Sequence, residues 1–447
     1  MKKSYSLQGI GLLYFLLIFI EALFVSGFLN QVTIIFFSVI WIATLCLNIK
    51  LGNKNPLASI YSVGVFLYFY QVPLINFVAE KKSPVYNIVI DKNILPEYFF
   101  TYILVLGFQV IITYFLSINT EWVNKVLKPI KLKKSTYHKL FMVSILITIL
   151  LLLYAFKNAG GVKEYFLLNK FESIEYGKLF FFTWKDFAVI SFVVYFISEK
   201  KNTLFLITLL ILIFIELLTA KRFLILFFVV FMYVTRIKKV TLKIAVLILI
   251  GLVFANFTKY TYYNLKNVVV SGASIETMFW FEWSDFFRSL LFLEEFLGHI
   301  RLTYLFLYNK INIDSFLIFD QLLVSLPFGN KLITDYSTAG EILKNYLREP
   351  WAGLASSMYI IPYLSLSFFG LLLIYSVYMG IILIIKFLTK KSVFFKVLFF
   401  MNIPIIFFYC QREEIIVVTK NLFITSVILL IMLILFKVIT FFKIKIT

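Results

Sequence analysis

The chain has 447 residues, 62% of them hydrophobic and 19% aromatic, and a mean hydropathy of +0.94. A water-soluble globule has an apolar share nearer one half, so a soluble enzyme or binding module is excluded, and the length is better counted in spans of roughly 20 residues than in soluble domains. The formal net charge of +20 suggests nucleic acid as a partner, a suggestion that the placement of the charges removes.

In chain order, Met1-Lys2-Lys3 followed by the apolar run Leu7 to Leu29 has the outline of a signal peptide. The run is long for an h-region and no small-residue cleavage site follows, so it reads as a first, uncleaved span. Apolar runs bounded by charges or turn residues predict twelve spans, at roughly 7–29, 32–48, 57–79, 97–118, 139–156, 179–198, 203–219, 223–235, 242–258, 364–388, 394–410 and 422–442. The expected fold is therefore all-α and polytopic. One membrane domain is expected, with nine spans in 1–258, a large loop in 259–356 and three spans in 357–447. A loop of that length should carry short helices of its own. Cys46 and Cys410 lie far apart in apolar spans, which gives no disulfide framework and no thiol metal site.

With a cytoplasmic N-terminus, the clusters at Lys2/Lys3, Lys50/Lys54, Lys125 to Lys139, Lys200/Lys201, Arg236 to Lys243, Lys386 to Lys396 and Lys437 to Lys445 all fall inside. They hold 23 basic residues, opposed on that side only by Glu121 and Glu199. The remaining Lys and Arg are nearly matched by the remaining Asp and Glu, so the positive excess is cytoplasmic, as the positive-inside rule requires. Both termini are then cytoplasmic and the 259–356 loop external. The net charge is a topology signal, and no nucleic-acid partner is expected.

That loop collects Arg288, Glu294, Glu295, His299, Arg301, Asp314, Asp320, Asp335, Glu341, Arg348 and Glu349, mixed with Trp280, Trp283 and Trp351. The stretch Glu282 to Arg301 has no Pro and reads as helix. At about 100° per residue, Arg288, Glu295 and His299 fall within about 40° of one another, with Asp285 on the adjoining edge. A carboxylate one turn from an imidazole orients and polarises it, so this face reads either as an acid–base site or as the solvated side of an interfacial helix. The hairpin tip Lys221-Arg222 and the last tip Gln411-Arg412-Glu413-Glu414 place arginine between apolar spans, either snorkelling to headgroups or lining a polar cavity. Arginine is the side chain best shaped to fork onto phosphate oxygens. Glu21, Lys185, Asp186 and Glu216 fall inside predicted spans; Lys185 and Asp186 are adjacent and either neutralise each other or mark a later start of the span. No G-x-x-x-x-G-K-[ST], H-E-x-x-H or G-x-S-x-G is present, and no acidic cluster has metal-ligand spacing, so neither cofactor nor metal is expected.

The hairpin ELLTAKRFLILFF (216–228), the passage EEFLGHIRLTYLFLYNKINIDSF (294–316), the re-entry REPWAGLASSMYIIPYLSLSFFGLLLI (348–374) and the tip FFYCQREEIIVVTKNLF (407–423) resemble, in order and spacing, bacterial O-antigen polymerases of the Wzy type. The resemblance runs from Glu216 to the C-terminus. It implies a fold of the C-type glycosyltransferase superfamily in the bacterial inner membrane. It also implies an activity, joining oligosaccharide repeat units carried on undecaprenyl diphosphate at the periplasmic face. Arg222 then matches the family's hairpin arginine, Arg412 its last-tip arginine and Glu295 an acidic loop position; Lys221 stands where many relatives have a small residue. On this expectation Glu295, His299 and Arg288 are catalytic, while Arg222, Arg412, Lys221, Arg301 and Arg348 bind diphosphate. Expected partners are the lipid-linked oligosaccharide, the bilayer, a chain-length regulator and a flippase. The rivals are a lipid-linked oligosaccharide flippase, which should show two similar halves and short external loops, and an O-antigen ligase, with the same chemistry on a different acceptor.

Overall fold

The computed structural model describes residues 34–74, 91, 93–130, 134–168, 175–179, 182–197, 202–218, 223–237, 294–311, 313–326, 337–347, 358–411 and 414–446, with isolated positions between 253 and 272 and at 329 and 333. Regular structure among these residues is helical, and the β-type pairing present is an isolated bridge between Leu179 and Phe182. In chain order the helices are α1 (Ile34–Gly52), α2 (Pro56–Phe69), α3 (Leu95–Ile118), α4 (Thr120–Val126), α5 (Lys134–Asn158), α6 (Val162–Leu167), α7 (Trp184–Ile197), α8 (Thr203–Leu217), α9 (Phe223–Met232), α10 (Glu294–Tyr308), α11 (Leu317–Ser325), α12 (Ala339–Leu347), α13 (Ile360–Leu388), α14 (Val393–Phe407) and α15 (Ile415–Ile446). Among the described residues, five segments, Leu95–Ile118, Ser135–Asn158, Ile360–Leu388, Val393–Gln411 and Ile415–Leu435, are long and apolar enough to cross a membrane, and Val39–Gly52, Pro56–Phe69, Thr203–Leu217 and Phe223–Thr235 are shorter apolar helices. A helix closes its own backbone hydrogen bonds, which is why an apolar chain meant for lipid takes this form. The protein has the helices of a multi-pass membrane protein.

Helix ends are set by local chemistry. Asn55 caps α2 by accepting from Ala58 N–H at 3.0 Å, with Pro56 in the first turn where its missing N–H costs nothing. The same Asn55 donates through Nδ2 to the Leu116 carbonyl at 2.8 Å, tying the start of α2 to the end of α3. The predicted span 57–79 stops at Phe69, and Pro73 lies in the 3₁₀ turn Val72–Leu74 that follows. Asn202 caps α8 through Leu204 N–H at 2.9 Å. The predicted spans at 7–29 and 242–258 lie outside the described residues, apart from residues 253 and 257.

The chain divides into two compact units. The first comprises residues 1–124, 292–391 and 405–421, the second residues 125–291, 392–404 and 422–447. In the first, α1, α2 and α3 pack on one another, α10 lies on α2 and α3, α13 on α3, and α11 on α13. In the second, α7 is central, with α5, α8 and α9 around it. Its residues from Phe187 to Ile197 are all buried, as an apolar helix enclosed on several sides should be.

The predicted span 364–388 begins earlier, at Ile360, and is broken at Leu366 (φ −136°, ψ 19°) and Ser367 (φ 48°, ψ −130°). The break folds Ile360 to Ser365 back so closely that a Cβ on Gly370 would stand 1.8 Å from the Pro362 carbonyl oxygen. Only glycine fits there.

Candidate functional site

In the second unit, the hairpin of α8 and α9 is held by one carboxylate. Glu216, fully buried near the end of α8, takes Lys185 Nζ on Oε1 at 2.5 Å and the Leu224 N–H on Oε2 at 2.6 Å. Leu224 is the second residue of α9, so its N–H has no partner within the helix, and a carboxylate is the side chain best suited to that end. Lys185 also stands 5.7 Å from the Trp184 ring, whose Nε1 donates to the Tyr165 hydroxyl at 3.1 Å. Lys185 is therefore paired with Glu216 and not with its neighbour Asp186. Asp186 instead closes the first turn of α7, accepting from Thr183 N–H at 2.7 Å and Thr183 Oγ1 at 2.9 Å. The expectation that Lys185 and Asp186 neutralise each other is corrected; the span starts at Trp184, which is the other alternative. Arg222 and Lys221 lie outside the described residues, but they are the two residues immediately before the helix that Glu216 holds.

In the first unit, α10 presents His299, Leu302, Thr303 and Phe306 on one buried stripe. The His299 ring is 1% exposed. It meets Tyr68 at 5.7 Å, Phe69 at 5.5 Å, Tyr102 at 6.3 Å and Tyr359 at 6.4 Å between ring centroids. Its carbonyl accepts from Thr303 Oγ1 at 2.8 Å, the Tyr102 hydroxyl donates to Thr303 Oγ1 at 3.1 Å, and Tyr359 donates to Tyr102 at 3.3 Å. The Tyr304 hydroxyl takes the Asp91 N–H at 2.7 Å, and burial pushes its phenol above the ordinary value, so it stays protonated. A solvated face is thus corrected for His299: the residue sits in an aromatic core. A cleft of about 10 Å³ lined by Thr101, Thr303, Phe306 and Tyr359 adjoins it, room for about one water molecule and not for a ligand.

The last tip is likewise held inside the first unit. Cys410, Gln411 and Glu414 are buried, and the carboxylate of Glu414 accepts from Gln321 Nε2 and from Ala339 N–H, both at 3.0 Å. Ala339 opens α12, so Glu414 fixes α11 and the N-terminus of α12 to the start of the final span. The tip is expected either to snorkel or to line a polar cavity; of its two flanks, Cys410 and Gln411 pack against α2 and α13, and Glu414 against the loop helices α11 and α12. Below the tip, Gln109 on α3 bonds both Tyr61 on α2 and, at 2.7 Å, the hydroxyl of Tyr375 on α13.

Of the candidate catalytic and diphosphate-binding residues, His299 and the partly exposed Arg301 are described with their side chains, and Glu295 as a backbone position in the first turn of α10. Arg288, Arg348 and Arg412 lie outside the described residues, as does the helix expected upstream of Glu294. What the sequence did not reveal is the cooperation of Glu216 with Lys185, of Glu414 with Gln321, and of Tyr61, Gln109 and Tyr375. Their available signal was a polar residue inside an apolar run. Among the described residues no group of three or more His, Cys, Asp or Glu is placed to hold a metal. No family model matches the chain, and no curated protein or solved structure matches it.

Proposed function

We propose that this protein is an O-antigen polymerase of the Wzy type: a twelve-span enzyme of the C-type glycosyltransferase fold in a bacterial inner membrane that joins undecaprenyl-diphosphate-linked repeat units. The observation that supports this reading most is the Glu216 brace, because a buried carboxylate holding the N–H of Leu224, in the first turn of α9, fixes the position of the chain two residues after Arg222. A cation that must meet a diphosphate in the transition state gains from being held in advance.

In this scheme the hydroxyl at the non-reducing end of a new unit attacks the anomeric carbon of the growing glycan. The bond from that carbon to the diphosphate oxygen breaks, and undecaprenyl diphosphate leaves with the electron pair. The two lipid diphosphates, donor and acceptor, call for two basic sites, which the separate tips bearing Arg222 and Arg412 supply, with Lys221, Arg301 and Arg348 as further headgroup contacts and Arg288 binding sugar or phosphate. Glu295 takes the hydroxyl proton. The burial of His299 favours a supporting role for that residue under α10 and favours Glu295 as the base. A flippase delivers the substrate and a chain-length regulator sets the product.

Deleting the gene and running the surface glycan on a gel separates the activities. A single repeat on the core is expected of a polymerase; no repeat at all would mean a flippase or a ligase. With purified protein and lipid-linked units, Glu295→Gln should lower the rate by about a hundredfold to ten-thousandfold, the usual weight of a general base. Arg222→Ala should cost roughly tenfold to a hundredfold, the value of about 1.5–3 kcal/mol for a charge-assisted contact. Unchanged rates in both variants would remove these residues from the chemistry.

A further inference from the structure

The short helix α11 is built inside out. Ile318, Gln321, Val324 and Ser325 are buried, whereas Phe316 is 68% exposed, Phe319 46%, Leu323 43% and Leu326 58%. At about 100° per residue those four exposed positions fall within about 80° of one another, opposite the buried set. A helix facing water puts its polar side chains outward. Here the carboxamide of Gln321 points inward, to Glu414, while four large apolar side chains point out, with the half-buried Asp320 at the edge of their face. The next helix of the same loop has the ordinary polarity: in α12 Ala339 is buried while Glu341 and Asn345 are exposed. The support under α11 is α13, a helix of membrane-crossing length, and the preceding polar stretch ends at exposed Asp314, which accepts the Phe316 N–H at 2.9 Å.

We infer that α11 lies within one leaflet of the bilayer, with Phe316, Phe319, Leu323 and Leu326 against phospholipid acyl chains, while α12 lies in water. The large loop is then a partly immersed structure anchored in hydrocarbon along one helix face. This inference does not depend on the enzymatic proposal. It requires only a bilayer, and the solvent that matches an apolar outer face continuous with a spanning helix is hydrocarbon.

The full chain in phospholipid nanodiscs, carrying Cys46→Ser to remove the exposed native thiol, provides the test. A nitroxide is attached at Phe319→Cys, at Leu323→Cys or, as a reference on α12, at Asn345→Cys, and collision rates are measured with oxygen, which partitions into lipid, and with a water-soluble nickel chelate. Oxygen should dominate at 319 and 323 and the chelate at 345, in protein that keeps its elution profile. Chelate accessibility at both α11 sites matching that at 345 would place the face in water and overturn the inference. Low accessibility to both reagents at both α11 sites would also overturn it. Dipolar broadening between labels would then identify a second copy of the chain as the cover.

Discussion

Glu216 and Lys185 show how much one buried residue can organise. Two ions out of water cost several kcal/mol each unless geometry and extra hydrogen bonds repay it; here the carboxylate has a cation on one oxygen and a backbone N–H on the other. Removing either partner strands the other, at about 3–5 kcal/mol. The two losses are unequal. Glu216→Ala leaves a buried ammonium and an unmet N–H at the start of α9, whereas Lys185→Met leaves a carboxylate that still holds Leu224. Thermal unfolding in detergent should therefore show a larger drop for Glu216→Ala than for Lys185→Met. In the double variant Lys185→Met, Glu216→Ala the loss should be less than the sum of the two single losses, because no unpaired ion is left behind. Equal and additive losses would mean that the two residues act separately. The same chemistry explains why Glu216 was ambiguous in the sequence: an acid in an apolar run announces a partner but not which one, and Lys185 is 31 residues away.

At the scale of elements, α13 has its least ordinary geometry near its start. Ser367 sits at φ 48°, ψ −130°, a region that costs a residue with a side chain on the order of 1–3 kcal/mol, and Gly370 lies against the Pro362 carbonyl. Three substitutions in one helix should then behave differently. Gly370→Ala should destabilise strongly, because the added carbon meets backbone and not a movable side chain. Ser367→Gly should be neutral or stabilising by about 1 kcal/mol. Gly380→Ala, with nothing within 4 Å of the added carbon, should stabilise by roughly 0.5–1 kcal/mol through helix propensity. Unfolding midpoints that moved alike at 370 and 380 would deny the break its close approach. The sequence announced the helices themselves, since apolar runs such as 97–118 and 139–156 closely match α3 and α5. It did not announce the break, because no proline marks Leu366 or Ser367 and the contact that demands glycine is eight residues away. Nor did it announce the burial of His299, whose cage comes from α2, α3 and the start of α13. Periodicity reports which face of a helix is unlike the other, but not whether lipid, water or protein lies opposite.

For the whole molecule, the direction of helices within the first unit constrains the topology. Near their starts α3 and α13 meet through Tyr102 and Tyr359, midway through Gln109 and Tyr375, and at their far ends through Asn119 and Lys386, so they run parallel. Parallel spans are separated by an odd number of crossings. Between them the described chain holds four apolar helices, α5, α7, α8 and α9. If each crosses, one more crossing is called for, and the apolar run predicted at 242–258 is the candidate. The charge bias, with 23 basic residues expected on one side, predicts a cytoplasmic position for Ser135, at the start of α5. Asn345 on α12, five crossings later, is then outside. Both residues are exposed, so a cysteine at either is reachable by a reagent on its own side of the bilayer. In intact cells carrying Cys46→Ser, an impermeant maleimide should label Asn345→Cys and leave Ser135→Cys unlabelled until the membrane is opened. Labelling of both in intact cells, or of neither, would mean an even number of crossings between them and would remove the span at 242–258. Labelling of Ser135→Cys alone would keep the count and reverse the orientation, putting the loop and its candidate base on the cytoplasmic face, away from the compartment where the proposed polymerisation takes place.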